Sequence, residues 1–431
     1  MKILVASMPG DGHINPLTGI AVALRDRGHL VRWYAGPRYA RRIEQLGFEV
    51  CPYQRATELL AEDLNEAFPE RARLRGPKRL SFDLERFFVS NVEAHYLDVA
   101  DLHHRHAFDV LLCDGAFYAE RLVNDSLGLA TVAVALSTVL PDPNGPPPFF
   151  GLRPARTPLH RAVHAVVRRM VASTNKAGVT AYNEVLARHG VDAIAPGGFP
   201  DAPMLGLPRI LLTASPAMEF PGYRPPRNAE WVGPLLPARR DTELESAPLP
   251  DAVTDPATTV VAVSQGTVDN TDPSKLLAPT LEALSGGPYV AVATTGGSET
   301  AALRRRHRAP TVHVEDYLDY EILFPHVDAF VTNGGYGSIL QALRHGVPIV
   351  SAGTREGKND NNVRLAARGL GINLRTERPK PRRIARAIDT VLGDPRFRHN
   401  VDRVRAELAT YDTVALVERA LLNAAGKAAQ P

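Results

Sequence analysis

The sequence predicts an α/β protein built from two Rossmann-like, doubly wound parallel sheets, one in each half of a 431-residue chain. Three observations predict it. Short, nearly continuous apolar runs alternate with amphipathic helical stretches, the pattern of strands buried on both faces and joined by helical crossovers. The pattern starts at Lys2, breaks over a proline- and charge-rich stretch from Ser215 to Pro256, and starts again at Thr259. The length also suits two domains better than one. The expected organisation is a domain over residues 1–215, a linker over 216–256, a second domain over 257–410 and a terminal helix over 411–431.

Lys2 to Ala6 form the first strand, and SMPGDGHIN (Ser7 to Asn15) a glycine-bearing turn. Pro16 is expected at the first helical position, with Asn15 as its N-cap. Leu17, Ile20, Ala21 and Leu24 make that helix's buried stripe, and Gly28 ends it. Strand Leu30 to Ala35, helix Arg38 to Leu46 and strand Phe48 to Cys51 complete a βαβαβ order, which places function at the strand C-terminal ends. Gln54 to Arg105 read as polar and helical, with His103, His104 and His106 near the end. No Cys or carboxylate partner stands at a metal-ligand spacing from them, so they read as a solvated helix end. Asp109 to Cys113 is a buried strand that delivers Asp114 to the edge where His13 lies, and Thr131 to Leu136 is another. PDPNGPPPFFGLRPARTP (Pro141 to Pro158) is irregular, since proline removes donors and fixes φ. A helix through Val163 to His189 and a strand Ile210 to Thr213 close this half.

In the second half, strand Thr259 to Ser264 leads into the turn Gln265-Gly266-Thr267, a helix start at Asp272-Pro273 and strand Val290 to Thr294. Strand Asp328 to Thr332 runs into the turn Asn333-Gly334-Gly335-Tyr336-Gly337-Ser338 and a helix with Ile339, Ala342 and Leu343 on one face. Gly346 ends that helix, and Val347 to Val350 start a strand. Asp412 to Ala425 form an amphipathic terminal helix.

Composition excludes several classes. A hydrophobic fraction of 44% with 23% charged residues fits a soluble globular protein. Net charge is 50 − 47 = +3, too small to argue for nucleic acid or an anionic membrane. Cys51 and Cys113 are the two cysteines, which fits a reducing, cytoplasmic setting. The N-terminus has no signal-peptide layout and no run is long enough to span a bilayer. Two basic runs, Arg304 to Arg308 and Arg382-Arg383, read as solvated helix faces.

The turn at Asn333 lets backbone N–H groups converge on an anion, with the positive end of the helix dipole behind them. It reads as a diphosphate seat or, alternatively, as a connection whose glycines serve close packing. His13 lies at a strand end, at the mouth of the presumed cleft, and an imidazole titrating near neutrality suits removal of a proton from a hydroxyl. Asp114 would hold its tautomer and stabilise the imidazolium, or else cap a helix beginning at Gly115.

TNGGYGS followed by LQALRHGVPIV resembles the donor-binding signature of family 1 glycosyltransferases with the GT-B fold, above all bacterial members acting on lipophilic natural products. The resemblance covers nearly the whole chain. It implies two Rossmann-like domains facing across a cleft, with the terminal helix crossing back to the first. In that family a His-x-Gly-x-x-Ser/Thr turn grips the diphosphate; here Asn333 stands at the His position, and Gly335 and Ser338 match. Gly12, His13 and Pro16 match the family's Gly-His-x-x-Pro turn, and Asp114 its partner carboxylate. The resemblance further implies diphosphate contacts from Gly266, Thr267, Gly334 and Gly337. Gln341 stands where a Glu grips the ribose, and Tyr317 or Tyr320 replaces a tryptophan that stacks on the base. Gly357 and Lys358 lie at the sugar-binding Asp-Gln pair, with Glu356 or Asp360 as substitutes. Phe149 and Phe150 lie on a loop that is either a connector or a lid over the acceptor pocket.

The implied activity is inverting transfer of a sugar from a UDP- or dTDP-sugar to a hydroxyl of a lipophilic small molecule. No metal or other cofactor is expected, and the implied protein is a monomer or homodimer. Two rivals share the architecture. A nucleotide-sugar 2-epimerase is disfavoured by the Gly12-His13 turn and the proline-rich loop, and a non-catalytic helper by intact His13 and Asp114.

Overall fold

The structure is a computed structural model that describes residues 1–59, 64–136, 145–195, 197–198, 201–238, 248–266, 270–355 and 357–426. Thr267, Glu356 and the start of the proline-rich loop, residues 141–144, lie outside the described residues. The first sheet comprises β1 (Lys2–Ala6), β2 (Leu30–Ala35), β3 (Glu49–Pro52), β4 (Val110–Asp114), β5 (Thr131–Ala135), β6 (Arg209–Leu212) and β7 (Ala229–Trp231). The second comprises β8 (Thr259–Ser264), β9 (Tyr289–Thr294), β10 (Val312–Glu315), β11 (Ala329–Thr332), β12 (Ile349–Ser351) and β13 (Gly371–Asn373).

Strand order is β3-β2-β1-β4-β5-β6-β7 in one sheet and β10-β9-β8-β11-β12-β13 in the other. Every pairing is parallel. Order therefore reverses between β1 and β4, and again between β8 and β11. At such a switch point the loops leaving the two strands diverge and open a crevice at their C-terminal ends.

Side chains along each strand alternate between two cores. Leu4 and Ala6 join one apolar cluster and Ile3 and Val5 the opposite one; Val260 and Ala262 separate from Val261 and Val263 in the same way. Burial on both faces explains why these strands read as unbroken apolar runs.

Three features differ from expectation. The first helix spans Asp11–Asp26 and holds Pro16 inside it, with Gly10 as the N-cap. Asn15 does not cap, because its side-chain oxygen accepts from Arg42. His13 accordingly sits in the first helical turn. The helix expected from Val163 begins at Pro158 and runs to Arg188, started by Thr157, whose hydroxyl accepts from the His160 N–H at 3.2 Å. Within 216–256, expected as a linker, Ala229–Trp231 pairs with β6 as an edge strand and Met218 enters the second domain's core. The helix Thr413–Ala424 packs Val417, Ala420 and Leu421 into the core that holds Ile3, Val5 and Leu17 of the first domain.

Candidate active site

His13 and Asp114 leave the C-terminal ends of β1 and β4, neighbours in register Ala6↔Cys113, so the topology itself brings them together at the first switch point. The Nδ1–H of His13 donates to Asp114 Oδ1 across 3.3 Å. Asp114 is 1% exposed, and two backbone groups fix its carboxylate: Met8 N–H donates to Oδ2 at 2.8 Å and Ala116 N–H to Oδ1 at 2.6 Å. The helix-cap alternative fails, because the next helix is Glu120–Asp125 with Ala119 at its N-cap. Burial pushes the His13 imidazole down, while the charge and the hydrogen bond of Asp114 push it up and win, leaving it above its ordinary value. With Nδ1 committed to the carboxylate, the Nε2 lone pair is free to take a proton.

The second switch point is built around asparagine. The Asn333 side-chain amide donates to the Gln265 carbonyl at the end of β8, and its Oδ1 accepts the Gly335 N–H at 3.3 Å. Asn361 donates to the Gly334 carbonyl at 2.9 Å, and Asn362 to the carbonyls of Asn333 at 3.3 Å and Gly353 at 3.0 Å. Two glycines are forced here by close approach. A Cβ on Gly334, whose φ is +99°, would lie 2.2 Å from Asn362 Oδ1, and one on Gly353 would lie 2.1 Å from the Asn333 carbonyl. Gly337 is different: a Cβ there would meet nothing within 4 Å, so packing does not demand it.

Helix Tyr336–Arg344 begins beside this frame with Gly335 as an N-cap that offers no side-chain bond. Its first-turn N–H groups have no intrahelical acceptor and can meet an anion. Ser338 Oγ donates to the Gly335 carbonyl at 2.9 Å, and Gln341 lies one turn on, its amide 3.4 Å from the Gly337 carbonyl. Gly266, at φ +77°, lies beside the Asn333 carboxamide. Tyr317 is half-buried on the loop after β10. Tyr320, half-buried, packs on Phe324 with ring centroids 4.5 Å apart against the second domain's core.

Asp360, expected as a sugar contact, holds the loop of the opposite domain. Its Oδ1 accepts the Gly151 N–H at 2.7 Å and its Oδ2 the Phe149 N–H, while Asn359 donates to the Phe149 carbonyl at 2.6 Å. Both carboxylate oxygens are thus taken by the loop of the opposite domain, in an interdomain clasp. Phe149 and Phe150, expected to touch an acceptor, lie on the clasped loop at 46% and 40% exposure. Lys358 opens helix Lys358–Ala367, next to Gly357. A second tie binds Arg364 Nε to both oxygens of Glu219 at 2.9 Å.

A small pocket that shares Met8 and Ala116 with the surroundings of Asp114 was not foreseen. Met8, Phe87, Phe88, Ala116 and Phe117 line it, together with His95. The adjacent Phe87 and Phe88 were visible in the sequence, but nothing in their spacing links them to Asp114. Among the described residues no group of three or more His, Cys, Asp or Glu side chains could hold a metal ion, and no helix is long and apolar enough to cross a membrane.

The family profile described as "Erythromycin biosynthesis protein CIII-like, C-terminal domain" matches residues 290–422. The chain is 33% identical over 424 residues to 4'-demethylrebeccamycin synthase of Lentzea aerocolonigenes, covering 96% of this chain and 97% of that one. It is 24% identical to demethyllactenocin mycarosyltransferase of Streptomyces fradiae, over 93% of this chain and 81% of that one. Among solved structures, the glycotransferase of kitacinnamycin superposes with a TM-score of 0.73 at 22% identity, covering 97% of this chain and 99% of that one. The glycosyltransferase VinC, solved with dTDP, superposes at 0.68 and 19%, covering 99% and 100%. With that fold, and with a relative of such identity along nearly its whole length, the chain belongs to the GT-B glycosyltransferases of natural-product biosynthesis, enzymes that transfer sugars to small-molecule acceptors.

Proposed function

We propose that the protein is an inverting glycosyltransferase that moves a sugar from a UDP- or dTDP-sugar to a hydroxyl of a lipophilic natural product, without a metal ion and in the cytoplasm. The observation that carries this is the His13–Asp114 pair at one switch point, 3.3 Å apart, with the asparagine-framed glycine turn at the other. The acceptor oxygen attacks the anomeric carbon as Nε2 of His13 takes its proton. The bond from that carbon to the diphosphate oxygen breaks, and the electron pair leaves with the nucleoside diphosphate. Attack opposite the leaving group inverts the anomeric centre.

Gly266, Thr267, Asn333, Gly334, Gly335, Gly337 and Ser338 are proposed to hold the diphosphate, Gln341 the ribose and Tyr317 the base. First-turn N–H groups of helix Tyr336–Arg344 would stabilise the charge that develops on the leaving oxygen. Lys358 remains a candidate for the sugar, and Asp360 is better assigned to the clasp.

A panel of UDP- and dTDP-sugars is to be incubated with hydroxylated polycyclic acceptors in the presence of EDTA. The expected product carries the sugar with inverted anomeric configuration by NMR. Retained configuration, a rate abolished by EDTA, or release of an epimerised sugar with no acceptor product would overturn the reading.

A further inference from the structure

The net charge of +3 conceals a one-sided stretch. From Gly145 to Asn183 the chain carries Arg153, Arg156, Arg161, Arg168, Arg169 and Lys176, and no Asp or Glu. The same stretch gathers exposed apolar side chains. Of the nine large hydrophobic residues exposed among the described residues, six fall between positions 149 and 170. Four of them stand on the long helix Pro158–Arg188: Leu159 at 71% exposure, Val163 at 46%, Val166 at 64% and Met170 at 43%.

Their spacing of four, three and four residues keeps them in one narrow stripe, about 60° wide and about 16 Å long. His164, Asn175, Gly178, Val179 and Tyr182 are buried on the other side of the helix. That side is the packed one: a Cβ on Gly178 would lie 2.5 Å from the Leu84 side chain, and Tyr182 Oη donates to the Tyr118 carbonyl at 2.9 Å. Residues 158–163 are all exposed, so this end of the helix projects from the domain. Arg168 donates to the Gly145 carbonyl, and none of the six cations forms an ion pair with another of the described residues. Asp360, the carboxylate that meets this stretch at Phe149 and Gly151, has both oxygens taken by their N–H groups.

A second copy of the chain would cover this face only by setting like charges against one another. Leu, Val and Met side chains make no directional bonds, so the stripe specifies no particular protein surface. A deformable anionic surface asks only for apolar side chains that sink below a headgroup layer and cations that stay within it. We propose that the projecting end of helix Pro158–Arg188 docks the protein on an anionic lipid bilayer, lying on the membrane without crossing it. Leu159, Val163, Val166 and Met170 enter the boundary between headgroups and acyl chains. Arg169, about a quarter-turn from the stripe, and Arg156, just ahead of the helix, meet lipid phosphates. Docking of this kind is independent of sugar transfer.

The full chain is mixed with phosphatidylcholine vesicles, with and without about 30% phosphatidylglycerol, and the bound fraction is read by flotation. Each cation near the surface is worth about fivefold in partitioning, so the anionic vesicles should bind at least about tenfold more tightly. That advantage should shrink at about 0.5 M salt. Arg156→Gln with Arg169→Gln should weaken binding to the anionic vesicles about twentyfold. Val166→Ser with Met170→Ser should weaken it about tenfold. All four positions are exposed, so neither double variant should change the melting temperature. No binding to either vesicle, equal binding to both, or unchanged binding in either double variant overturns the proposal. Polyglutamate held as tightly as the anionic vesicles would assign the face to an acidic protein and overturn it too. So would a dimer in sedimentation that Val166→Ser with Met170→Ser disperses, which would assign the face to a second copy. Vesicle binding as expected, with no transfer to any acceptor, supports the docking and overturns the transferase reading instead.

Discussion

The side-chain amide of Asn333 donates to the main-chain carbonyl of Gln265 and so ties the loop after β11 to the loop after β8. A carboxamide in this position can bridge the two loops but cannot become cationic. Affinity for an intact nucleotide sugar, whose diphosphate diester does not titrate there, should change little between about pH 5.5 and 7.5. Asn333→His should introduce a dependence, with tighter binding at the acid end, where the imidazole is charged. Calorimetric titration at both pH values checks this. A steep dependence in the unmutated protein would contradict it.

His13→Ala removes the base and should lower turnover by about 10²–10⁴. Donor affinity should survive, because His13 follows a strand of the first sheet and the glycine turn a strand of the second. Turnover within a few-fold of the unmutated enzyme would remove His13 from the mechanism.

Asp114→Asn separates a partnered histidine from a lone one. The charge and hydrogen bond of Asp114 are what raise the His13 imidazole against burial. Without them burial dominates and the imidazole falls. His13 acts as a base only when neutral, so activity rises with pH through its pKa. The acid limb of kcat/KM should therefore move to lower pH in the variant while the plateau drops by roughly 10–10³, since the wrong tautomer is no longer disfavoured. A drop with an unmoved acid limb would show that Asp114 acts through shape alone.

The central strands were legible because burial on two faces leaves an unbroken apolar signature, whereas the short edge strands Ala229–Trp231, Val312–Glu315 and Gly371–Asn373 carry no such run and were not read. His13 and Asp114 were legible because Asp114 stands at the end of one readable apolar run and His13 in the segment that follows another. What the sequence could not disclose were contacts between distant segments. Asp360 and Phe149 are 211 positions apart, and only the fold shows a carboxylate holding a loop that read either as a connector or as a lid over the acceptor pocket. The start of the first helix was misjudged for a local reason: Pro16 stands inside the helix, in its second turn, at the loss of one intrahelical hydrogen bond, and Asn15 is drawn to Arg42. Asn361 and Asn362 stand in a visible run of asparagines, but polar residues in a helix read as solvent-facing until their buried carbonyl partners are known.

Glu120 gives the last prediction, and it concerns stability. The residue is 0% exposed at the start of helix Glu120–Asp125, and neither carboxylate oxygen accepts a hydrogen bond from another of the described residues. Burial pushes its carboxyl up to about 8; its own N–H pulls down, the charge of Asp114 pushes up, and Arg121 pulls down. In the unfolded chain a Glu titrates near about 4.3, so between these values the folded state binds a proton that the unfolded state has lost. The stability contributed by that proton is full below the unfolded pKa and is lost as pH rises through about 8. At about 1.4 kcal/mol for each unit of pKa difference, the loss across this window amounts to a few kcal/mol. Glu120→Gln cannot titrate and should flatten the curve, whatever its stability at any single pH. Other groups with raised pKa, such as Asp201 at about 7, are present in both proteins and cancel in the difference. Urea unfolding at about pH 5.5 and pH 8.5 supplies four free energies, and the test is the difference between the two slopes. If the variant loses as much stability as the unmutated protein over this window, the carboxyl of Glu120 is ionised in the fold and its isolation from partners is only apparent.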